Sequence, residues 1–114
     1  MPLVVPYPED GWRPAVSVHL RICIEPGRTD ELRLFLREPI PFYESPGGVR
    51  VRLLGGADAP HRFIEVVEYA SEDAYLKDEE RVRSDATMAQ YLARWRALLA
   101  EPPTVETYRD IDTR

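Results

Sequence analysis

The chain has 114 residues, of which 44% are hydrophobic and 31% charged, and its formal net charge is −5. This length suits one domain with one core, and the composition is that of a globular protein, not of a disordered segment. The negative charge argues against a nucleic-acid partner, because nucleic-acid-binding proteins usually carry a basic excess that displaces counterions from phosphates. The single cysteine, Cys23, excludes an internal disulfide and a cysteine-rich metal site. It is typical of the reducing cytoplasm, which is the localisation we expect.

The start of the chain has neither a membrane-spanning run nor the basic and apolar regions of a signal peptide. We therefore expect no membrane partner. Four prolines lie within residues 1–14, and proline at this density blocks both helix and central strand. We interpret residues 1–14 as an extended N-terminal arm, which Tyr7 and Trp12 would dock on the folded domain or on a partner subunit.

The stretch from Ala15 to Glu25 alternates apolar and polar side chains with a period of two. This period is typical of a strand with one buried and one polar face, and His19 and Arg21 lie on the polar side. A helix capped by Thr29 or Asp30 is predicted next, ending before Pro39 in an irregular helical turn. The later predicted elements are strands over Val49–Leu54 and Arg62–Tyr69, a helix from Ser71 that breaks near Ser84-Asp85, a helix over Ala86–Ala100 and a strand over Thr104–Ile111.

The predicted order is β-α-β-β-α-β over residues 15–111, which is the ferredoxin-like α+β pattern of a four-stranded antiparallel sheet with its helices on one face. Nothing in the chain is left to cover the other face of the sheet. The third strand is apolar in either phase, with Phe63, Val67 and Tyr69 on one side or Ile64 and Val66 on the other. Because an exposed apolar patch usually marks an interface, we expect two sheets to pack face to face in a homodimer.

Three features have the layout of a known superfamily: the run Tyr43–Arg50 with its Pro-Gly-Gly turn, the strand-to-helix junction Glu68–Tyr75, and Ser84-Asp85 with Trp95 before the closing strand. Over residues 15–111 the sequence resembles the dimeric α/β-barrel superfamily, and in layout its NIPSNAP-like and antibiotic-biosynthesis-monooxygenase-like members. The resemblance implies a dimer whose two sheets enclose a barrel with an internal cavity. Members of the superfamily include cofactor-independent monooxygenases, haem-degrading enzymes, lactone isomerases and dye-type peroxidases, and no motif here selects one of these.

His19 is the candidate catalytic residue, because histidine titrates near neutrality and acts as a general base or a haem ligand. The alternative is a histidine hydrogen-bonded across the dimer face. Arg21 and Arg52, together with Arg50, are candidates for an anion pocket, since strand one would be central and its neighbour would carry the other arginines. The alternative for these arginines is a salt-bridge network with the acids of the strands, which are Glu65, Glu68, Glu106 and Asp110.

Tyr43 and Tyr69 are candidates for the wall of a site that stacks a flat aromatic substrate, the alternative being ordinary core or interface tyrosines. Trp95 is interpreted as a core residue of its helix. His19 and His61 show no metal-ligand spacing, so no metal site is predicted. The sequence also carries no flavin or nicotinamide motif. We therefore expect no cofactor, and an oxygenase of this kind would take its electrons from the substrate.

Two functional hypotheses follow. In the first, the chain is a dimeric α/β-barrel protein that binds or transforms a small aromatic or anionic metabolite, in the manner of a cofactor-independent monooxygenase or an isomerase. Its cavity would lie between sheet and helices or inside the dimer barrel. In the second, it is a non-catalytic homodimeric interaction or accessory protein whose sheet face is filled by salt bridges. A cavity of about 300 Å³ or more with converging polar groups would favour the first.

Overall fold

The structure is a computed structural model that describes residues 11–113. Most of the proposed N-terminal arm, including Tyr7, lies outside the described residues. The elements, in chain order, are β1 (Val16–Cys23), α1 (Thr29–Leu36), α2 (Pro39–Glu44), β2 (Val49–Gly55), β3 (Arg62–Tyr69), α3 (Glu72–Ser84), α4 (Ala86–Arg96) and β4 (Thr104–Arg109).

The four strands form one antiparallel sheet in the order β2-β3-β1-β4, which confirms the predicted ferredoxin-like α+β fold. Each helical connection is divided into two helices. Asp85 makes the second division, because its backbone is extended and its side chain accepts a hydrogen bond from the N–H of Met88 at 2.8 Å, which caps α4. Ser71 caps α3 in the same way through the N–H of Ala74. The predicted cap at Ser71 and the predicted break near Ser84-Asp85 are confirmed.

Three local predictions are wrong. Helix α1 follows Arg28 with no side-chain cap, so neither Thr29 nor Asp30 caps it. Helix α4 ends at Arg96 instead of Ala100, because the backbone beyond it turns to pair with the end of β1: Leu99 bridges to Ile24. Strand β3 separates β1 from β2, so Arg21 and Arg52 do not lie on neighbouring strands.

One face of the sheet is covered by the helices. Residues paired across antiparallel strands point to the same face, so the register assigns each side chain to a side. The covered face carries the apolar phase of β1, and its buried side chains form two clusters. The first joins Ile22, Ile24, Leu32, Leu36, Phe63 and Trp95, and the second joins Val16, Val18, Val49 and Tyr69. Each such side chain contributes roughly 1.5–3 kcal/mol when fully buried, so these clusters hold the helices on the sheet.

The opposite face, here called the open face, has no helix on it. It carries the polar phase of β1 and the outward phase of β3, where Ile64 and Val66 form a short apolar strip among charged side chains. The described end of the arm contacts this side: Trp12 packs on the guanidinium of Arg50 with 4.3 Å to the ring centre, and Arg13 pairs with Asp110 at 3.0 Å. The open face is therefore more polar than the sequence predicted.

Candidate functional site

A cavity of about 240 Å³ lies between the covered face of the sheet and the helices. Its wall is mostly apolar and comes from the sheet and from α4, with Val18, Leu20, Val51, Val67, Met88 and Leu92 among the lining residues. Val82 and Val105, which are 43% and 58% exposed, mark its mouth beside the edge strand β4. An apolar cleft with a few polar groups is the usual form of a small-molecule site. The volume is slightly below the ~300 Å³ that we set as the favourable limit.

Glu65 is the buried acid of this cavity. The alternation of β3 places it on the covered face, opposite Leu20 of β1 and Leu53 of β2, and it is only 4% exposed. Burial raises the pKa of Glu65 to about 7, because the charged form has lost its water. Its Oε1 has no hydrogen-bond partner in the part of the chain that the structure describes. A carboxyl in this state can exchange a proton near neutral pH.

Trp95 brings a second polar atom to the same cavity. Helix α4 buries its ring to 5% exposure, and its indole Nε1 likewise has no hydrogen-bond partner within residues 11–113. The indole N–H lies close enough to Glu65 to lower the pKa of that carboxyl, an effect smaller than the increase caused by burial. No hydrogen bond of ordinary geometry joins the two residues. An acceptor and a donor thus face the cavity with unused capacity.

A hydrogen-bonded network fixes the tyrosine wall of the cavity. The hydroxyl of Tyr69 donates to Asp78 Oδ2 at 2.5 Å, and Arg81 Nε donates to Asp78 Oδ1 at 3.2 Å. The guanidinium of Arg81 also donates to the backbone oxygens of Phe42 and Tyr43, at 3.1 and 2.8 Å, which ties α2 to α3. Burial, and then the bond to Asp78, raise the pKa of Tyr69, so its hydroxyl keeps its proton.

Tyr43 is held by α2 against the same cavity. It is 8% exposed and packs edge to face with Tyr91, at 6.2 Å between ring centres. Burial raises the pKa of Tyr43 most, and the charge of Glu65 raises it further. The Tyr43 hydroxyl is therefore a neutral group in the field of the buried carboxyl.

The sheet separates the other site residues predicted from sequence from this cavity. His19 lies on the open face against the ring of Tyr108, at 5.0 Å between centres. Arg21 donates to Glu106 at 2.6 Å, and Arg52 faces Glu68 at 3.6 Å. The three predicted residues His19, Arg21 and Arg52 line one groove of about 400 Å³ on the open face. Within one chain, the structure thus brings Tyr43 and Tyr69 together and His19, Arg21 and Arg52 together, but not the two groups.

Comparisons with known proteins report the fold. No family model matches the chain, and no curated protein matches it by sequence. Among solved structures, a "putative antibiotic biosynthesis monooxygenase" from Bordetella bronchiseptica aligns with a TM-score of 0.70 and 22% identity, over 87% of this chain and 99% of that one. SnoaB, a cofactor-independent oxygenase from Streptomyces nogalater, aligns with a TM-score of 0.69 and 16% identity, over 86% and 94% of the two chains.

A protein from Mycobacterium tuberculosis aligns with a TM-score of 0.66 and 26% identity, over 85% of this chain and 95% of that one. The chain has the fold of the antibiotic biosynthesis monooxygenase proteins. At the level of the fold, this confirms the predicted resemblance to antibiotic-biosynthesis-monooxygenase-like proteins. The resemblance to NIPSNAP proteins in particular stays a prediction.

The sequence did not predict the polar residues of the cavity. Glu65 was considered only as a partner for the strand arginines, which in fact lie across the sheet from it. A signal was present, because the period of two places Glu65 in phase with Phe63, Val67 and Tyr69, where an acid has no solvent. Asp78 gave no signal, since its helix is rich in exposed acids.

Between residues 11 and 113, no group of three or more His, Cys, Asp or Glu side chains is placed to hold a metal ion. None of the helices in that range has the length and apolar character needed to cross a membrane. The cavity beneath the helices, which holds the unpartnered carboxyl oxygen of Glu65, is the candidate functional site.

Proposed function

We propose that this chain binds and transforms a small aromatic metabolite in the cavity between sheet and helices, without a cofactor, by monooxygenase-like or isomerase-like chemistry. The observation that carries the proposal is a buried carboxyl, Glu65, with an unpartnered oxygen in an apolar cavity. Tyr43 and Tyr69 supply aromatic wall for a flat ligand. The fold shared with SnoaB, itself a cofactor-independent oxygenase, supports this class of reaction.

Glu65 acts as the general base. A carboxyl whose pKa is about 7 is partly ionised at neutral pH and accepts a proton from an acidic C–H or O–H of the substrate. In an isomerase-like reaction, the proton returns to another carbon of the same anion. In a monooxygenase-like reaction, dioxygen oxidises a methylene to a carbonyl and is itself reduced to water, so that CH₂ and O₂ give C=O and H₂O. The substrate supplies all the electrons of this step.

We also propose that a second copy of the chain covers the open face, sheet to sheet. The face carries half-buried Ile64 and, beside it, the side chains of Leu54 and Tyr108, which are 41% and 48% exposed, whereas Val66 is already buried at 2% exposure. In such a homodimer the groove lined by His19, Arg21 and Arg52 would be enclosed. A catalytic role for His19, and an anchoring role of the two arginines for an anionic group, belong to that enclosed groove.

The alternative function is a non-catalytic homodimeric interaction or accessory protein. The ion pairs of the open face favour it, because Arg21 is already hydrogen-bonded to Glu106 and Arg52 forms an ion pair with Glu68 at 3.6 Å. Guanidinium groups that are bonded to carboxylates offer less to an anionic ligand. This alternative gives Glu65 no role.

Proton exchange can show which face of the sheet carries the general base. In D₂O, we expect the wild-type chain to catalyse deuterium exchange at the acidic C–H of β-tetralone, a two-ring ketone, as followed by NMR, with dioxygen uptake followed in parallel. Glu65→Gln should abolish the exchange, because glutamine cannot accept the proton. The control is Glu68→Gln, which changes the same side chain on the same strand but on the open face.

His19→Ala completes the test. Loss of exchange in His19→Ala with retention in Glu65→Gln would move the chemistry to the open face and contradict the proposal. Exchange in neither the wild type nor any variant, over a set of one- and two-ring phenols and enolisable ketones, would favour the accessory protein.

The proposed homodimer is tested separately, by measuring the oligomeric state of the chain. Sedimentation at micromolar concentration should give a dimer, and Leu54→Glu should weaken it, because the carboxylate would be buried between the two sheets. A monomer at that concentration in the wild type would remove the enclosed groove.

A further inference from the structure

Glu65 and Trp95 present two buried polar atoms, Oε1 and Nε1, to one cavity, and neither has a hydrogen-bond partner in the described residues. The indole N–H lies near enough to lower the pKa of Glu65, but it makes no hydrogen bond of ordinary geometry to that carboxyl. Nearly all buried polar groups in proteins are hydrogen-bonded, so these two neighbouring atoms indicate a shared partner in the cavity. Packing does not account for the pair, since an apolar side chain at either position would avoid the cost.

The two atoms are complementary to a single chemical group. A carboxylate oxygen only accepts, an indole N–H only donates, and a hydroxyl can do both at once. We propose that Glu65 and Trp95 together hold one hydroxyl of a neutral aromatic or enolic ligand, whose O–H donates to Glu65 and whose oxygen accepts from Trp95. This inference rests on the proposed function, because it names the substrate group on which the base acts.

Other ligand groups fit the pair less well. A carboxylate or phosphate would accept from Trp95 but would be repelled by Glu65, and an ammonium would satisfy Glu65 but leave Trp95 unpaired. Asp78, the other buried acid of the described residues, is already bonded to Arg81 and Tyr69, and Glu79, which also lines the cavity, is a further acid that disfavours an anion. Arg96 also lines the cavity but is exposed, so an anion at depth would meet no buried cation. The site therefore favours neutral hydroxyl compounds over anions.

The arrangement gives Trp95 a catalytic role. When Glu65 takes the proton, the O–H bond of the ligand breaks and its electron pair stays on the oxygen, while the carboxylate becomes a carboxylic acid. The indole N–H then faces the new oxyanion. A fixed donor aimed at developing negative charge in a mostly apolar cavity stabilises that charge strongly.

Binding measurements test the proposal apart from turnover. By titration calorimetry at about pH 8, where Glu65 with its pKa of about 7 is mostly ionised and only accepts, we expect β-naphthol to bind the wild-type chain about 10-fold more tightly than β-methoxynaphthalene, which cannot donate. β-Naphthoate should bind more weakly still, because the ionised carboxylate repels it. This ligand series needs no variant, so it stands even if a substitution impairs folding. β-Naphthoate binding tightest, or β-methoxynaphthalene binding as well as β-naphthol, would overturn the proposal.

Trp95→Phe is the matching change in the protein. It keeps an aromatic ring but removes the N–H donor together with part of the indole ring, so the affinity for β-naphthol should fall about 10-fold or more. The control is Trp12→Phe, which alters the other tryptophan, on the open face, and should leave the affinity unchanged. Glu65→Gln keeps an acceptor oxygen and should retain binding within a few-fold while losing proton exchange. Equal affinities in the wild type and Trp95→Phe would remove Trp95 from the site.

The outcomes separate the inference from the function it rests on. If β-tetralone exchange depends on Glu65 but the three naphthalene ligands bind alike, the proposed function stands and the hydroxyl pair does not. If none of the ligands binds and no exchange occurs, both are overturned.

Discussion

Glu65 and Glu68 lie three residues apart on β3 and show how differently the two faces of the sheet treat an acid. Glu68, on the open face, lies 3.6 Å from the guanidinium of Arg52. Glu65, on the covered face, has an oxygen with no partner among the described residues. A third acid makes the contrast sharper. Asp78 is as inaccessible as many core residues, at 9% exposure, yet it is bonded to both Tyr69 and Arg81. Burial beneath the helices therefore does not by itself leave acids unpaired.

The stability of the fold explains the paired acids Glu68 and Asp78, but it does not explain the unpartnered Glu65. Paired charges at a surface and a fully bonded buried aspartate are what folding alone would select. A buried carboxyl with spare capacity lowers the stability of the fold, and such groups concentrate at functional sites. Its unpartnered oxygen, more than its acidity, distinguishes Glu65 from Asp78, the other buried acid among residues 11–113.

The largest effect should follow from breaking the buried pair beneath the helices. Arg81→Met removes the cation that compensates Asp78 and the donors that hold the backbone of α2. We expect a loss of about 3–5 kcal/mol in the free energy of unfolding, because a buried charge is left uncompensated. Chemical denaturation measures it. Arg83→Met is the control, since Arg83 pairs with Glu80 on the exposed side of the same helix, and it should have no measurable effect. Equal losses would show that the pair with Asp78 is not a structural anchor.

Glu65→Gln should change stability in the opposite direction and only at high pH. The pKa of Glu65 is about 7 in the folded chain and 4.5 for the unperturbed group, so the folded state holds more protons between these values. Stability is therefore lost as pH rises from 4.5 to 7, by about 3 kcal/mol in total. Glutamine cannot ionise, so the variant should exceed the wild type by about that amount near pH 8 and match it below about pH 4.

Thermal or urea unfolding across pH measures the difference between Glu65→Gln and the wild type. Glu68→Gln is the matched control on the other face and should show no such gain at about pH 8, because Glu68 has a cationic neighbour. A pH-independent difference for Glu65→Gln would mean that the carboxyl is solvated in the folded chain, and the contrast between the two faces would disappear.

The fold was largely predictable because its signals are local. The alternation from Val16 to Cys23, the caps at Ser71 and Asp85 and the turn before Val49 each depend on neighbouring residues. The end of α4 was not predictable in this way. Its limit is set by the pairing of Leu99 with Ile24, which lie 75 positions apart in the sequence. Helix propensity alone would have continued the helix.

The site was less predictable, because it depends on which face each strand turns inward. The alternation of β1 made His19 and Arg21 candidate site residues because they lie on its polar face. The same alternation places their side chains on the open face, across the sheet from the cavity. The only sequence signal for Glu65 was that an acid occupies a position on the apolar side of its strand. The partnership of Asp78 with Tyr69 joins two elements through a hydrogen bond, which residue types alone do not reveal.

The smallest effect concerns the ion pair between Arg21 and Glu106 on the open face. The hydrogen bond from Arg21 lowers the pKa of the Glu106 carboxyl, but both side chains are largely solvated, at 52% and 36% exposure. In a double-mutant cycle with Arg21→Met and Glu106→Gln, the coupling should lie within experimental error for the isolated chain, as for most exposed pairs. Covering by a second copy would remove water from the pair and strengthen its coupling. The cycle should therefore give a coupling that rises with protein concentration, and a coupling independent of concentration would show that the open face is not the dimer interface.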